Sequence, residues 1–347
     1  MPSGIFARTS SEVAGDTAMA GNPYYSGPAS DHFDGNVFFN PGGVAPRSFR
    51  DLLKWQLGHG RTKWPAFWPS PFEPARPAER IAGDRLRLTM VGHATLLLQV
   101  AGLNILTDPV WSARASPFSS FGPKRVNSPG IRLQDLPPID LILLSHNHYD
   151  HLDGATLARL KAIHDPLVVT PLGNDTIVHR YAPGMRIRTG DWGDRLEVAG
   201  ECVVHFEPAH HWSARGMRDR RMALWSAFAI ATPAGNIYHV GDTGFHAGRN
   251  YRSAARRHGG FRLAILPIGA YEPRWFMEAQ HQSPEEAMEG MRLANAAHAA
   301  GHHWGTFHLT NEPIAEPQDR LREALDTAGM AHDRFRALRP GEVWDVP

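Results

Sequence analysis

The chain has 347 residues and carries 36 lysines and arginines against 35 aspartates and glutamates, so no global basic field favours nucleic acid as a partner. Its single cysteine excludes an intrachain disulfide framework and suits a reducing compartment. Because no apolar run approaches the roughly 20 residues of a membrane span, and the first twenty residues lack the apolar core of a signal peptide, we expect a cytoplasmic protein.

Residues 1–80 are predicted to form an N-terminal extension, partly disordered over residues 1–30, where Gly, Ser, Ala and Pro predominate. Residues 31–80 are dense in prolines and in aromatic residues interleaved with basic ones. Membrane-interface anchors use such a mixture, but aromatic rings more often pack onto a protein core, and we favour packing here. The aromatic residues concerned are Phe38, Phe39, Trp55, Trp64, Phe67, Trp68 and Phe72.

Residues 81–347 are predicted to form one domain that begins with three strands. Polar and apolar residues alternate over 85–91, which predicts a half-buried strand. Ala101-Gly102 separates two further strands, 95–100 and 103–107, as a hairpin turn. The remaining strand candidates are short runs of apolar residues at 141–144, 166–170, 186–188, 195–198, 202–207, 227–231, 236–240 and 263–267.

Three helices are predicted among these strands. The first spans 155–163, and the last spans 317–328 with Leu321 and Leu325 on one face. The middle helix begins at Pro284, within a capping box formed by Ser283 and Glu286, and is predicted to continue to about residue 299. Many short strands and few helices indicate a two-sheet core covered by helices.

A dense group of metal-ligand residues follows the strand candidate 141–144. Three histidines and one aspartate occur within six residues, at His146, His148, Asp150 and His151. Neutral imidazoles and carboxylates are ligands that Zn²⁺ prefers. Because packing gives no reason to crowd four such residues at the tip of a buried strand, this stretch predicts a metal site.

Three isolated sites further along the chain extend the metal hypothesis. Taken singly, an aspartate between glycines is better explained as a turn residue, and a histidine beside tryptophan as a half-buried side chain. Their order along the chain after the first cluster favours metal ligation instead. The three segments are His210-His211-Trp212, Gly241-Asp242-Thr243-Gly244 and His302-His303-Trp304.

This order of ligand residues resembles the signature of the metallo-β-lactamase superfamily, and the chain is similar in particular to the N-acylphosphatidylethanolamine-hydrolysing phospholipase D family. The resemblance runs from about residue 86 to the C-terminus, and the long segment 267–277 is specific to that subgroup. The other resembling segments are 92–95, 107–109, 122–125, 136–140, 145–152, 241–244 and 303–307.

The resemblance implies an α/β fold, the metallo-β-lactamase αββα sandwich, in which two mixed β-sheets are flanked by helices, and a centre of two Zn²⁺ ions. In each double histidine the family pattern selects the residue directly before tryptophan, so that His210 and His302 are the alternatives. The implied ligands are His146, His148 and His211 for one ion and Asp150, His151 and His303 for the other, with Asp242 bridging the two.

Further roles follow from the same resemblance. Asp108 and His93 would orient ligand imidazoles, or they stabilise turns, and both interpretations stay open. His281, just before a helix N-terminus, would act with Asp150 and Asp242 in catalysis by positioning or protonating the scissile phosphate; a surface histidine is the alternative. Cationic side chains that could contact lipid phosphate, although any one of them is more commonly solvated, are Lys124, Arg125 and Arg274.

The implied reaction is hydrolysis of N-acylphosphatidylethanolamine to an N-acylethanolamine and phosphatidic acid, by attack of a metal-bound hydroxide on phosphorus. Hydrolysis of another phosphodiester or of a lactone is the alternative, and a non-catalytic metal-binding or scaffold protein is the alternative from a different class. The expected partner is a phospholipid substrate and not nucleic acid. The sequence leaves homodimerisation and transient peripheral contact with a membrane open.

Overall fold

The computed structural model describes residues 21–58, 60–199 and 201–347, and two seven-stranded sheets form the centre of this part of the chain. The first sheet is antiparallel at one edge and parallel at the other. Its strands, numbered in chain order and given from edge to edge, are β14 (Val343–Val346), β1 (Leu86–Gly92), β2 (Thr95–Val100), β3 (Leu103–Thr107), β4 (Leu141–Leu143), β5 (Leu167–Pro171) and β6 (Arg186–Gly190).

The second sheet is also mixed: its first four strands run parallel and the others pair antiparallel. Because β9 is antiparallel to both of its neighbours, β8 and β10 run in the same direction. From edge to edge the strands are β13 (Phe335–Ala337), β12 (Ala296–His302), β11 (Phe261–Pro267), β10 (Ile237–His239), β9 (Ala227–Ala231), β8 (Cys202–Glu207) and β7 (Arg195–Ala199).

Helices cover the outer face of each sheet. On the first sheet, Leu157 and Ile177 pack with Ile142, and on the second, Met291 and Leu321 share a buried cluster with Leu266 and other strand residues. The helices are α1 (Phe49–Leu57), α2 (Gly154–Ile163), α3 (Asn174–Tyr181), α4 (Arg249–His258), α5 (Arg274–Met277), α6 (Pro284–Leu293) and α7 (Glu316–Thr327). The layers therefore form the predicted αββα sandwich.

The space between the sheets is filled by one apolar cluster. Leu96 and Leu98 of β2 meet Phe228 of β9 and Ile265 of β11 there, and all four side chains are fully buried. Burial of this apolar area is the main force that holds the two sheets together, and it fixes the position of the loops that follow the strands.

Several predicted elements are confirmed. The predicted hairpin turn at Ala101-Gly102 joins β2 to β3, which pair antiparallel. Helix α2 begins one residue before the predicted start, where the Asp153 carboxylate caps it. Ser283 and Glu286 form the predicted capping box at the start of α6, with Pro284 in its first turn.

Two predictions about secondary structure are wrong. Helix α6 ends at Leu293 and not near residue 299, because the alanine-rich segment that follows is strand β12, which pairs with β11 and β13 on its two sides. Helix propensity is a weak prior that this sheet environment overrides. Strand β1 is almost completely buried and not half-buried, since β14 and β2 flank it and both of its faces are covered.

The N-terminal extension packs on the domain through its aromatic residues. Trp64 stacks on His308 and Trp68 meets Trp304 edge to face, while Phe38 is fully buried. Packing is thus the interpretation that these rings support, although Phe67 and Phe72 stay exposed. The predicted disorder over 1–30 falls largely on residues 1–20, which lie outside the described part of the chain.

Among the residues that the structure describes, no helix has both the length and the apolar character needed to cross a bilayer.

Candidate metal centre

Four loops carry the predicted ligands, and each loop follows the carboxyl end of a strand. The segment from His146 to His151 follows β4, His211 lies beyond β8, Asp242 beyond β10, and His303 directly after β12. Strands β8, β10 and β12 run in one direction, so their loops leave the second sheet at the same edge, where the β4 loop of the first sheet meets them. The topology therefore brings together residues that are far apart along the chain.

Three histidines form the first group of donor atoms. His148 Nδ1 lies 2.8 Å from His146 Nε2 and 3.2 Å from His211 Nε2. The Gln280 carbonyl oxygen lies 3.1 Å from His211 Nδ1 and can only accept, so Nδ1 carries the proton and the Nε2 lone pair faces the group. Zn–N distances of about 2.0–2.1 Å set neighbouring nitrogens of a tetrahedral site roughly 3.3 Å apart, close to the spacing observed here.

A second group lies beside the first and shares one carboxylate with it. Asp242 Oδ2 is 3.2 Å from His151 Nε2 and 3.1 Å from His303 Nε2, and Asp150 Oδ2 is 3.2 Å from His303 Nε2. The same Asp242 oxygen is 3.7 Å from His211 Nε2 in the first group. Asp242 thus lies between the two groups, where a bridging ligand is expected.

The electrostatics of the site favour cations. Although burial alone would raise it, His303 and His151 hold the pKa of Asp242 well below its usual range. Burial lowers the pKa of His146 and His211, and that of His148 to about 4, so these imidazoles are neutral near pH 7. Although burial alone would lower them, Asp242 and Asp150 raise the pKa of His151 and that of His303, the latter to about 9. Metal ions bind neutral imidazoles and ionised carboxylates, so these two histidines would give up a proton on metal binding.

Buried polar atoms without a hydrogen-bond partner also fit a metal site. His151 Nε2 and Asp242 Oδ1 are buried and have no hydrogen-bond partner among the described residues. Leaving buried polar atoms unsatisfied is costly, and a metal ion coordinated by the same residues would remove that cost. The donor set therefore fits one ion in each group.

Asp108 and His93 both contact predicted ligands. Asp108 Oδ2 accepts hydrogen bonds from His151 Nδ1 at 2.8 Å and from the Ser145 hydroxyl at 2.7 Å, and Asp108 Oδ1 accepts from the Ser145 amide. His93 Nε2 lies 2.9 Å from Asp150 Oδ2. These are the contacts by which a carboxylate or imidazole outside the metal site fixes the orientation of a ligand.

Replacing Asp108 with alanine should lower the free energy of unfolding by about 3–5 kcal/mol, because it leaves the buried partners of a carboxylate without an acceptor. Asp108 is fully buried. The measurement is urea unfolding followed by circular dichroism. The control is Asp345→Ala, which removes an exposed ion pair with Arg87 and should cost less than about 1 kcal/mol. Equal losses in the two variants would contradict the role assigned to Asp108.

The two histidines of each double histidine lie in different surroundings. His211 and His303 face the two donor groups. His210 instead stacks on His246 with ring centres 3.8 Å apart, and His302 lies beside His239. Each pair thus presents one histidine to the centre and the other away from it; at the second pair the chain leaves β12 at His302 and His303 takes a left-handed backbone conformation, with φ of 63°.

A cavity of about 450 Å³ opens onto both donor groups. His148, Asp150, Asp242 and His303 of the donor groups line it, and so does His281. One ring nitrogen of His281 lies within 4.8 Å of donor atoms of Asp242 and His211. Burial lowers the pKa of His281 to about 4, so its ring is neutral near pH 7.

The walls of the cavity are largely apolar, and helix α1 of the extension supplies one of them. The α1 residues Leu52 and Trp55 are part of this wall, and Trp55 packs on Phe276 with ring centres 5.0 Å apart. Two arginines, Arg47 and Arg220, also line the cavity. The apolar lining residues are Pro46, Leu52, Trp55, Trp212, Met217, Ala270, Phe276, Met277 and Leu309.

The three predicted phosphate-binding cations do not line this cavity. Arg125 is buried, donates to the Val110 carbonyl and stacks on the Phe307 ring. Arg274 donates to the His281 carbonyl oxygen and pairs with Glu286. Lys124 forms a β-bridge with Arg114 and is not among the lining residues of the cavity. Arg274 therefore supports the backbone of His281. The cationic side chains that line the cavity are Arg47 and Arg220 instead.

Sequence reasoning missed the residues that surround the donor groups. Arg47 and Arg220 lie in segments without a recognisable motif, whereas Leu52 follows a capping box of Ser48 and Asp51 that could have marked the start of α1. Ser145 and Gln280 could have been found, because each directly precedes a predicted site residue and hydrogen-bonds to a residue of the centre.

Comparison with known proteins agrees with this architecture. Residues 103–304 match the sequence model of the family described as the Beta-lactamase superfamily domain. Igni18, a metallo hydrolase from the archaeon Ignicoccus hospitalis, has a similar fold, with a TM-score of 0.55 and 21% identity over 75% of this chain and 97% of that one.

Two relatives resemble the chain more closely in sequence. The N-acyl-phosphatidylethanolamine-hydrolyzing phospholipase D 1 of Caenorhabditis elegans is 38% identical over 269 residues, which cover 74% of this chain and 75% of that protein. The mitochondrial N-acyl-phosphatidylethanolamine-hydrolyzing phospholipase D of Saccharomyces cerevisiae is 32% identical over 247 residues, 70% of this chain and 52% of that protein.

Proposed function

The chain is a hydrolase of the metallo-β-lactamase superfamily and belongs, within it, to the N-acylphosphatidylethanolamine-hydrolysing phospholipase D family, and from this premise we propose that it is a binuclear zinc phosphodiesterase of phospholipase D type. Its substrate is N-acylphosphatidylethanolamine, and its products are an N-acylethanolamine and phosphatidic acid. The observation that carries this proposal is the convergence of two donor groups on the base of one apolar cavity.

Seven side chains are assigned to the metal ions. His146, His148 and His211 hold one ion; Asp150, His151 and His303 hold the other; and Asp242 bridges them. Two zinc ions, when bound, lower the pKa of water and neutralise the charge of phosphate oxygens. Asp108 and His93 keep the ligand side chains His151 and Asp150 in place through their hydrogen bonds.

His281 acts on the substrate from the cavity wall. Its ring is neutral near pH 7, so an N–H group can donate a hydrogen bond to a phosphate oxygen without adding a proton to the site. The lowered pKa favours this positioning role over protonation. Arg274 supports it, since its guanidinium holds the His281 carbonyl oxygen at 3.0 Å.

The cavity suits a lipid better than a soluble diester. Its apolar lining gives acyl chains a surface that excludes water, and Arg47 and Arg220 offer cations to a phosphate or to the headgroup region of a membrane. Because helix α1 supplies part of the lining, the extension belongs to the substrate site. We further propose that the protein contacts the membrane transiently and peripherally.

The experiment that tests this function compares substrates on the zinc-loaded protein. We expect hydrolysis of N-acylphosphatidylethanolamine in mixed micelles, with an N-acylethanolamine and phosphatidic acid identified by mass spectrometry. Soluble phosphodiesters and lactones should be turned over far more slowly. Faster hydrolysis of a lactone or of a soluble diester would identify that compound, and not the lipid, as the substrate.

Leu52→Glu should lower kcat/KM for the lipid by about tenfold or more. The substitution puts a charge in place of an apolar side chain, and burial of a leucine side chain contributes about 1.5–3 kcal/mol. Hydrolysis of bis(p-nitrophenyl) phosphate, a diester without acyl chains, should change little. Ile163→Glu, at an exposed position on α2, is the matched control and should leave both activities unchanged. Equal losses on both substrates would mean that α1 does not bind the acyl chains.

A further inference from the structure

The loop that follows β4 carries four of the proposed metal ligands, His146, His148, Asp150 and His151, yet residues 145–152 contain neither helix nor strand. Within the loop, the amides of His151 and Leu152 donate to the His148 carbonyl oxygen. A loop with so few internal hydrogen bonds depends on contacts from outside for its conformation.

Arg215, in the segment between β8 and β9, contacts this loop at three points. Its Nη1 donates to the Asn147 carbonyl oxygen at 3.1 Å and to the Leu152 carbonyl oxygen at 2.8 Å. Its Cζ lies 3.6 Å from the centre of the Tyr149 ring, where the guanidinium stacks on the aromatic face. The contacted residues lie between the proposed ligands or directly after the last of them, so the three contacts span the part of the loop that carries the ligands.

The two carbonyl groups depend on Arg215. Asn147 and Leu152 are fully buried, and among the described residues neither carbonyl oxygen has another hydrogen-bond partner. The side-chain amide of Asn147 is also buried without a partner in this part of the chain, so it does not hold the loop either. Because an unsatisfied buried carbonyl is costly, removal of the guanidinium favours a rearrangement of the loop.

Arg215 is itself held in place. Its amide donates to both carboxylate oxygens of Asp219 at 3.1 Å, and the Tyr24 hydroxyl donates to the same carboxylate at 2.7 Å. Its Nη2 donates to the Tyr181 hydroxyl at 3.2 Å. A planar guanidinium can make these bonds and stack on Tyr149 at the same time, whereas the single ammonium group of a lysine cannot.

We propose that Arg215 is a positioning residue that keeps the loop after β4 in the conformation that presents its four ligands, a role that rests on the metal centre proposed above. Like charges repel, so the positive charge of the guanidinium by itself opposes a metal cation. The benefit of Arg215 therefore lies in geometry. Because Gly216, Met217 and Arg220 line the cavity, Arg215 also joins the metal-binding loop to a wall of the substrate site.

The test combines hydrogen–deuterium exchange with zinc affinity. Exchange is followed in the full-length protein, as purified and after zinc is added, and the zinc dissociation constant is measured by competition with a chelator. In Arg215→Ala, the amides of residues 146–152 should exchange at least about tenfold faster, and the dissociation constant should rise by about 10–100-fold. Arg215→Lys keeps the charge but not the planar group, so it should recover only part of both properties.

The matched control is Arg262→Ala. Arg262 is also half-buried and also donates to backbone carbonyl oxygens, but these lie outside the metal-binding loop, at Asp84, Ala234, Val346 and Pro347. This variant should leave loop exchange and zinc affinity unchanged even where it lowers the thermal midpoint. Circular dichroism confirms that each variant is folded.

Three results would overturn the proposal. Unchanged loop exchange in Arg215→Ala would show that the loop does not depend on Arg215. Tighter zinc binding by that variant would mean that the guanidinium acts through its charge. Equal losses of zinc affinity in the Arg215 and Arg262 variants would reflect general destabilisation. Faster loop exchange in Arg215→Ala of a protein that takes up no zinc would support the positioning role and contradict the metal centre, so the two failures are distinguishable.

Discussion

Asp242→Ala should lose bound zinc and at least about a thousandfold of the hydrolase activity, since several kcal/mol of transition-state stabilisation depend on the metal ions. Asp242 Oδ2 lies within 4.0 Å of donor nitrogens in both groups, which sets it apart from the other proposed ligands. Its removal therefore weakens both metal sites and not one. Elemental analysis of the purified variant and a lipid-hydrolysis assay measure the two effects.

The matched control for Asp242 is Asp333→Ala, which removes an exposed carboxylate and should leave both zinc content and turnover unchanged. Circular dichroism shows whether the Asp242 variant keeps its fold, which matters because Asp242 is buried. A folded Asp242→Ala variant that retains two zinc ions and the turnover of the unaltered protein would contradict the bridging role.

His281→Ala should lower kcat by about a hundredfold while the zinc content stays at that of the unaltered protein, because removal of a single well-placed hydrogen-bond donor costs this much. His281 lines the cavity beside Asp242 and His211 but belongs to neither proposed ligand set. The variant thus separates positioning of the substrate from retention of the metal ions. Steady-state kinetics and elemental analysis together provide the measurement.

Two further variants sharpen the test of His281. His281→Gln keeps an N–H donor on a side chain of similar reach and should recover part of the lost kcat. His332→Ala removes an exposed histidine that pairs with Asp326 and should have no effect. Unchanged kcat in His281→Ala would exclude the proposed role, and loss of zinc from that variant would assign His281 to the metal site instead.

The sequence was sufficient to predict the convergence of the proposed ligands. The ligands up to Asp242 follow the ends of strand candidates, whereas His303 follows a segment that was predicted as helix and is strand β12. The strands β4, β8, β10 and β12 end at one edge of the two sheets. The choice of His211 and His303 over their neighbours came from the family pattern. The structure places His211 and His303 at the donor groups, whereas His210 stacks on His246 and His302 lies beside His239.

Other elements could not be predicted from local patterns. Helix α4 buries Tyr251 and Ala254 as its apolar contacts, so its sequence carries a weak apolar stripe. Strand β12 is rich in alanine, and it is a strand because β11 and β13 hydrogen-bond to it. In both cases tertiary contacts decide the conformation, and these contacts cannot be read from a single sequence.

The role of the extension likewise depends on contacts between distant residues. Trp55 donates from its indole nitrogen to the Asn311 side chain, and Trp64 donates to the Glu312 carbonyl oxygen. These bonds hold the extension against the loop after β12 and place α1 over the cavity. No spacing or periodicity within residues 31–80 predicts which distant loop they meet, so the lining of the cavity became visible only in the structure.

The most direct test of the binuclear centre is a crystal structure of the zinc-loaded protein with anomalous diffraction recorded at the zinc edge. We expect two anomalous peaks about 3.5–4 Å apart, one among His146, His148 and His211 and the other among Asp150, His151 and His303, with Asp242 between them. A single peak, or peaks away from these side chains, would contradict the proposed centre.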